Sequence, residues 1–311
     1  MLRVAPGLLL LLVAACGYPR PTITDDGGDG SDADIACTAR TVARDPVTIS
    51  IMLDRSGSMI DVFPTAASKF AGMRTAVTAA VTRFDDIVAF GGIEFDNSGV
   101  PGGCPELVTV APAMASHVSI DMMMATNPPN ASGVLPEALV QASTMLSVDT
   151  HPGAKVLWVI TDGVPWQCDS TDGTAQSVAA LTTGFTNGIA TRVVALGPDI
   201  PQATLQQLAN AGAGGVPGGS AGLGVRATTT AELDTAMHQL VAADIPCVFG
   251  VTPAITDAEA PSVIVTLAGT EVPHGPDGWM ASPTGLTLVG AACTAFHMRT
   301  PGTHDVTVDC R

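Results

Sequence analysis

Aromatic residues make up only 4% of this 311-residue sequence, and lysine occurs just twice, at Lys69 and Lys155. With 13 Lys and Arg set against 29 Asp and Glu, the formal net charge is −16, which argues against a nucleic-acid backbone as partner because phosphates would be repelled. Neither lysine follows a glycine, so the phosphate-binding P-loop signature is missing. The six histidines include no H-E-x-x-H, and the seven cysteines form no C-x-x-C pair, which leaves no zinc-protease, zinc-knuckle or thioredoxin-like motif. What remains is a chain that is 46% hydrophobic and only 14% charged, a globular composition with enough length for one large domain and a smaller one.

The one sustained apolar run, residues 4–12, is too short to span a bilayer and follows Arg3, as in a secretory signal. It ends in Val13-Ala14-Ala15-Cys16, which resembles the lipobox of bacterial lipoproteins. The resemblance implies that residues 1–15 are removed and that Cys16 carries a diacylglycerol, the chain's only contact with a membrane. Gly17, where an aspartate often retains lipoproteins at the inner membrane, favours the outer membrane and leaves its side open. Residues 16–45 read as a tether, stiffened by Pro19 and Pro21 and continued by an acidic, Gly-rich tract at 25–34 that has too little apolar surface to fold.

Export places the other six cysteines in an oxidising compartment, where an even number implies disulfides. Fifteen pairings are formally open. The expected set is Cys37–Cys247 bracketing the main domain, Cys104–Cys168 joining two loops of one face, and Cys293–Cys310 stapling the C-terminal segment.

From residue 47 onward, apolar runs alternate with helical spacing. Residues 47–53, 87–95, 107–110, 156–160, 190–196 and 225–227 read as strands. Residues 65–84, 135–146, 175–185, 201–210 and 231–242 read as helices, the last capped by Thr229 or Thr230. This order implies an α/β domain over 46–245, a doubly wound, mostly parallel sheet with helices on both faces. Beyond Pro246 the helical period disappears. Short runs at 263–267, 286–289 and 306–308 predict a small all-β module over 246–311.

In such a sheet, ligands bind beyond the carboxyl ends of the strands. Two strand ends carry aspartate here: Asp54-x-Ser56-x-Ser58, and Thr161-Asp162-Gly163. Two carboxylates and two hydroxyls form an oxygen-only donor set that suits Mg²⁺, Mn²⁺ or Ca²⁺. Glu94 and Asp96 fall near the same edge, and Trp166 stands where it can shape the rim. Alone, the first motif reads as a turn or helix cap; joined to the second aspartate at a matching strand end, it reads as a metal site. A G-x-S-x-G at 218–222 lacks the strand and helix that a nucleophile elbow requires.

These two motifs, with the strand and helix order, resemble the von Willebrand factor type A domain and its metal-ion-dependent adhesion site. The resemblance implies that Asp54, Ser56, Ser58 and Asp162 hold a divalent ion, most simply Mg²⁺. It also implies a threonine from an intermediate loop, and a position left open for an acidic group of the partner. The threonine is missing: five residues before Ala138-Leu139 stands Gly133, so Ser132 is the expected donor, with Thr126 more distant. The function expected is therefore adhesion, not catalysis: an exported, lipid-anchored protein binding a protein ligand through its metal. An accessory subunit that positions substrate for an enzyme, and a metal-assisted hydrolase, are the alternatives.

Overall fold

The computed structural model describes residues 40–97, 103–215 and 222–310. Cys16, Cys37, the tether up to residue 39 and Ser220 of the G-x-S-x-G segment lie outside the described residues.

The chain opens with a short strand, β1 (Thr41–Arg44), and then enters β2 (Val47–Asp54), every residue of which is buried. A 3-10 turn at Gly57–Ile60 leads to α1 (Lys69–Phe84), β3 (Ala89–Asp96), β4 (Glu106–Ala113), α2 (His117–Thr126) and α3 (Leu135–Ser147). The pattern continues through β5 (Ala154–Thr161), α4 (Thr174–Thr186), β6 (Ile189–Leu196), α5 (Gln202–Gly212), β7 (Gly224–Ala227) and α6 (Thr230–Asp244). The six strands of this part form one sheet in the order β4-β3-β2-β5-β6-β7. All neighbours are parallel except β3 and β4. The expected α/β architecture is present, with β4 as an antiparallel edge.

Side chains alternate across β2 because successive Cβ atoms point to opposite faces. Ile49, Ile51 and Leu53 join one core with Met73, Val77 and Val81 of α1, Ile120 and Met123 of α2, and Leu233 and Leu240 of α6. Met52 joins the other with Leu135 and Leu139 of α3, Leu181 of α4 and Leu205 and Leu208 of α5. Caps set the helix starts: Ser68 Oγ accepts from Ala71 N at 3.1 Å, and Thr229 does the same for Glu232 N at 3.2 Å.

The C-terminal part adds β8 (Val248–Thr252), β9 (Val263–Leu267), β10 (Thr270–Val272), β11 (Trp279–Ser282), β12 (Gly285–Leu288), α7 (Gly290–His297) and β13 (Val306–Cys310). Its sheets are antiparallel, β1-β8-β12-β11 and β10-β9-β13. Two features differ from the sequence reading. β1, which falls in the segment expected to be tether, pairs with β8, and the module contains a helix, α7, whose eight residues are too few to show a clear period. Phe249 and Phe296 pack edge to face at 5.6 Å in its core, which is continuous with the α1 face of the large sheet. Arg44 lies 5.2 Å from the Phe296 ring centroid, and His304 Nδ1 sits 3.2 Å from Asp86. These contacts gather at the amino edge of the sheet, where β2 and β3 begin, so the module leaves the carboxyl edge free.

Cys104 and Cys168 are bonded to each other. Cys247, however, is bonded to Cys293 and not to Cys37, and Cys310 belongs to a different disulfide, so the Cys37–Cys247 and Cys293–Cys310 pairings are corrected. The reason is α7: it carries Cys293 to the start of β8, a Cα separation of 5.7 Å from Cys247. Peptide mapping of the unreduced protein is expected to release Cys247 linked to Cys293. Replacing both by serine should cost about 2–4 kcal/mol in a denaturant titration, because the bridge closes a loop of 46 residues.

Candidate metal centre

β2 and β5 are parallel neighbours, with Leu53 opposite Ile160, so their carboxyl ends bring Asp54 and Thr161-Asp162 together. Asp54 is buried; its Oδ1 accepts from Ser56 N at 2.7 Å and its Oδ2 from the Thr161 hydroxyl at 2.5 Å. The 3-10 turn folds Ser58 back beside Ser56, leaving their hydroxyl oxygens 3.1 Å apart. Asp162 Oδ1 accepts from Ser58 Oγ at 2.9 Å and from Ser56 Oγ at 3.4 Å. Thus Asp54, Ser56 and Ser58 of one loop meet Asp162, about a hundred residues on, as one cluster of hard oxygen donors. Such a set fits Mg²⁺, Mn²⁺ or Ca²⁺.

The intermediate loop is held against this cluster by backbone hydrogen bonds. Gly57 N donates to Ala131 O at 2.6 Å, Asn130 N to Arg55 O at 3.1 Å and Asn97 N to Ser132 O at 2.8 Å. This register pairs Ser56 with Ala131 and turns residue 133 toward Asp54: a β-carbon built on Gly133 would stand 3.3 Å from both carboxylate oxygens. Ser132 is exposed on the rim of the cavity, one residue off that position. Thr126 ends α2 with its hydroxyl donated to Met122 O at 2.9 Å, and it does not line the cavity.

The cavity above the cluster is about 240 Å³ and is walled by Phe95, Leu135, Val164 and Trp166 beside the polar residues. Trp166 is 45% exposed, and the Cys104–Cys168 bridge fixes the loop that carries it. Arg55, within the first motif, is buried; its guanidinium lies 3.0 Å from Asp96 and its backbone N–H donates to Phe95 O, which ties the loop after β2 to the end of β3. Glu94 points into the core one step back. Burial, with Asp96 adding and Arg55 opposing, pushes its pKa up to about 8, so at neutral pH it is mostly protonated and adds little charge.

One residue of the centre is absent from the sequence reading. Lys69, the first residue of α1, is buried, and its ammonium donates to Asp162 Oδ2 at 2.8 Å. Burial pulls its pKa down, but the hydrogen bond and charge of Asp162, helped by Asp199 and Asp61, outweigh this and hold it above the ordinary value. The available signal was its rarity: one of two lysines stands at a helix amino end, where the backbone dipole disfavours a cation.

No family model matches the chain, and no curated protein does either. Among solved structures, the pilus adhesin SpaC of Lactobacillus rhamnosus GG is similar over 85% of this chain and 38% of its own, at 16% identity and a TM-score of 0.54. The minor pilin PilB of Streptococcus sanguinis matches over 64% of this chain and 61% of its own, at 14% identity and a TM-score of 0.50. The hypothetical protein BatB of Bacteroides thetaiotaomicron matches over 64% of this chain and 98% of its own, at 17% identity and a TM-score of 0.49. The adhesin and pilin similarities show a shared fold, and the chain spans less than two thirds of either protein's length, 38% of the adhesin and 61% of the pilin.

Asp54 carries the main electrostatic cost. Burial, then the neighbouring Asp162, raises its pKa to about 6 against the hydrogen bonds from Thr161 and Ser56. A carboxyl whose folded pKa is raised binds its proton more tightly in the folded state, so metal-free stability falls as pH rises from about 4 to 6 and stays low above. Asp54→Asn should therefore raise the metal-free melting temperature at pH 7.5, by roughly 2–6 °C. The same substitution should abolish stabilisation by Mg²⁺. Thermal melts with and without the ion check both.

Proposed function

We propose that this chain is a von Willebrand type A protein that binds a protein partner through a divalent ion at Asp54, Ser56, Ser58 and Asp162. The observation that carries this reading is the convergence of the Ser56 and Ser58 hydroxyls on Asp162 Oδ1 beside Asp54, at the floor of an open cavity on the carboxyl edge. When bound there, the ion supplies a Lewis-acidic position that accepts a carboxylate. The chain's own residues do the rest: Thr161 and the Ser56 N–H orient Asp54, and Arg55 with Asp96 holds the loop.

Binding is favoured over hydrolysis by the cavity wall. Its two carboxylates, Asp54 and Asp162, are both engaged by hydrogen bonds at the cation position, and the wall around them is made of hydroxyl, backbone and apolar groups. A protein partner is favoured by apolar side chains left in solvent nearby: Ile60 and Val62, just after Ser58, are 64% and 83% exposed, and Trp166 is half-exposed. The partner chemistry that fits is an acidic side chain flanked by apolar ones. The disulfides support an exported protein, the Val13-to-Cys16 motif supports a lipid anchor, and Gly17 after it favours the outer membrane.

Pull-down from envelope extracts should recover a partner with Mg²⁺ present, and lose it with chelator or with Asp54→Ala. A partner retained by Asp54→Ala in chelator would refute metal-mediated binding.

A further inference from the structure

The large sheet ends on one side in an unpaired strand. β4 pairs with β3, and no other strand among the described residues lies along its outer edge. The backbone N–H and C=O groups on that side are a template for a further strand, and such edges are commonly blunted by lysine or an inward-pointing charge. β4 has neither: its one charged residue is Glu106 at its start, and Thr109 and Ala111 stand in solvent. Pro112, beside a register shift between Phe90 and Gly92, limits the open stretch to residues 106–111.

α2 continues this edge on one face of the sheet. It packs over β3 and β4, with Ile120 and Met123 against Gly92. Toward α1 it is held by Asp121, which accepts hydrogen bonds from Arg74 and Thr78. Val118 and Met122, one turn apart, are left 55% and 59% exposed, and Met114, between β4 and α2, is 48% exposed. Three apolar side chains in solvent beside an open strand form a patch that the packing of a single chain does not require.

We propose that β4 and α2 form a self-association surface, on which a second copy of this chain pairs its β4 antiparallel to the first and packs α2 against α2. A two-fold interface must match itself, and an antiparallel strand edge does so. With paired strands about 4.8 Å apart, each α2 comes to roughly the 8–10 Å from its counterpart at which helices pack. Val118 and Met122 then cover one another across the two-fold axis. Antiparallel pairing sets each Glu106 against the uncharged far end of the other strand, so the contact itself is free of like-charge pairs. The net charge of −16 per chain opposes the approach only through solvent, where salt screens it. The strand edge and helix row together offer about the 800 Å² per partner that a standard interface buries. Because the two sheets run in opposite directions, the carboxyl edges of the dimer face opposite ways, an arrangement suited to linking two partners.

The test is sedimentation velocity over a range of protein concentration on the exported chain carrying Cys16→Ser, which prevents acylation. Runs in chelator at about 0.1 and 0.5 M salt keep the result independent of the metal centre. The parent chain should show a reversible monomer–dimer equilibrium that tightens at the higher salt. Met122→Glu and Ala111→Lys, both at exposed positions that the fold does not depend on, should each weaken dimerisation by about tenfold or more, since each sets like charges together across the axis. Met280→Glu, at a 50% exposed position in the C-terminal module, should leave it unchanged. A parent chain that stays monomeric, its edge left for a different protein, would overturn the proposal. So would a dimer indifferent to Met122→Glu and Ala111→Lys, or one weakened as much by Met280→Glu.

Discussion

Two carboxylates buried side by side at the ends of adjacent parallel strands are the constraint around which this chain is arranged. Asp54 and Asp162 are almost wholly removed from solvent, and like charges in that setting resist ionisation together. Every neighbour answers that cost: the Ser56 N–H and Thr161 hydroxyl on Asp54, the Ser56 and Ser58 hydroxyls on one oxygen of Asp162, and the Lys69 ammonium on the other. The compensation is uneven. Asp162 has a formal counter-charge within hydrogen-bonding distance, whereas Asp54 has only dipoles, and burial beside Asp162 pushes the Asp54 pKa up. A cation placed there would relieve the residual charge, which links the fold's least comfortable group to the function proposed for it.

The rest of the molecule holds that arrangement open. The sheet delivers both aspartates to one edge because β2 and β5 are parallel and in register. Backbone hydrogen bonds hold the intermediate loop against the cluster, so its position there does not depend on a side chain at residue 133. The C-terminal module packs at the opposite edge through Arg44, Asp86, Phe296 and His304, and the Cys104–Cys168 bridge stiffens the rim. The apolar residues Ile60, Val62 and Trp166 stay exposed on the free face, as a docking surface requires and a monomer's stability does not.

Much of this was legible in the sequence, and the failures have physical causes. Apolar runs containing β-branched residues marked β2 and β5 because strands buried on both faces need no polar alternation. Asp54, Ser56 and Ser58 could be named because their spacing of two follows local backbone geometry at a strand end, and Asp162 because it ends a second apolar strand in the same way. The third loop could not be aligned by counting. Its register depends on the pairing of Ser56 with Ala131 and Asn97 with Ser132, contacts that are invisible along the chain, and these present Gly133 to Asp54. Lys69 escaped for the same reason: its role exists only where α1 passes Asp162. α7 and the pairing of β1 with β8 were missed because eight- and four-residue segments carry little periodicity, and with α7 went the true partner of Cys247.

The most direct measurement is an anomalous-scattering map from crystals of the protein soaked in Mn²⁺. A single strong peak within coordination distance of the Ser56 and Ser58 hydroxyls, beside Asp54 and Asp162, is the result this account predicts. A crystal with no peak there, or with manganese only among the exposed carboxylates of Asp61 and Asp199, would contradict it.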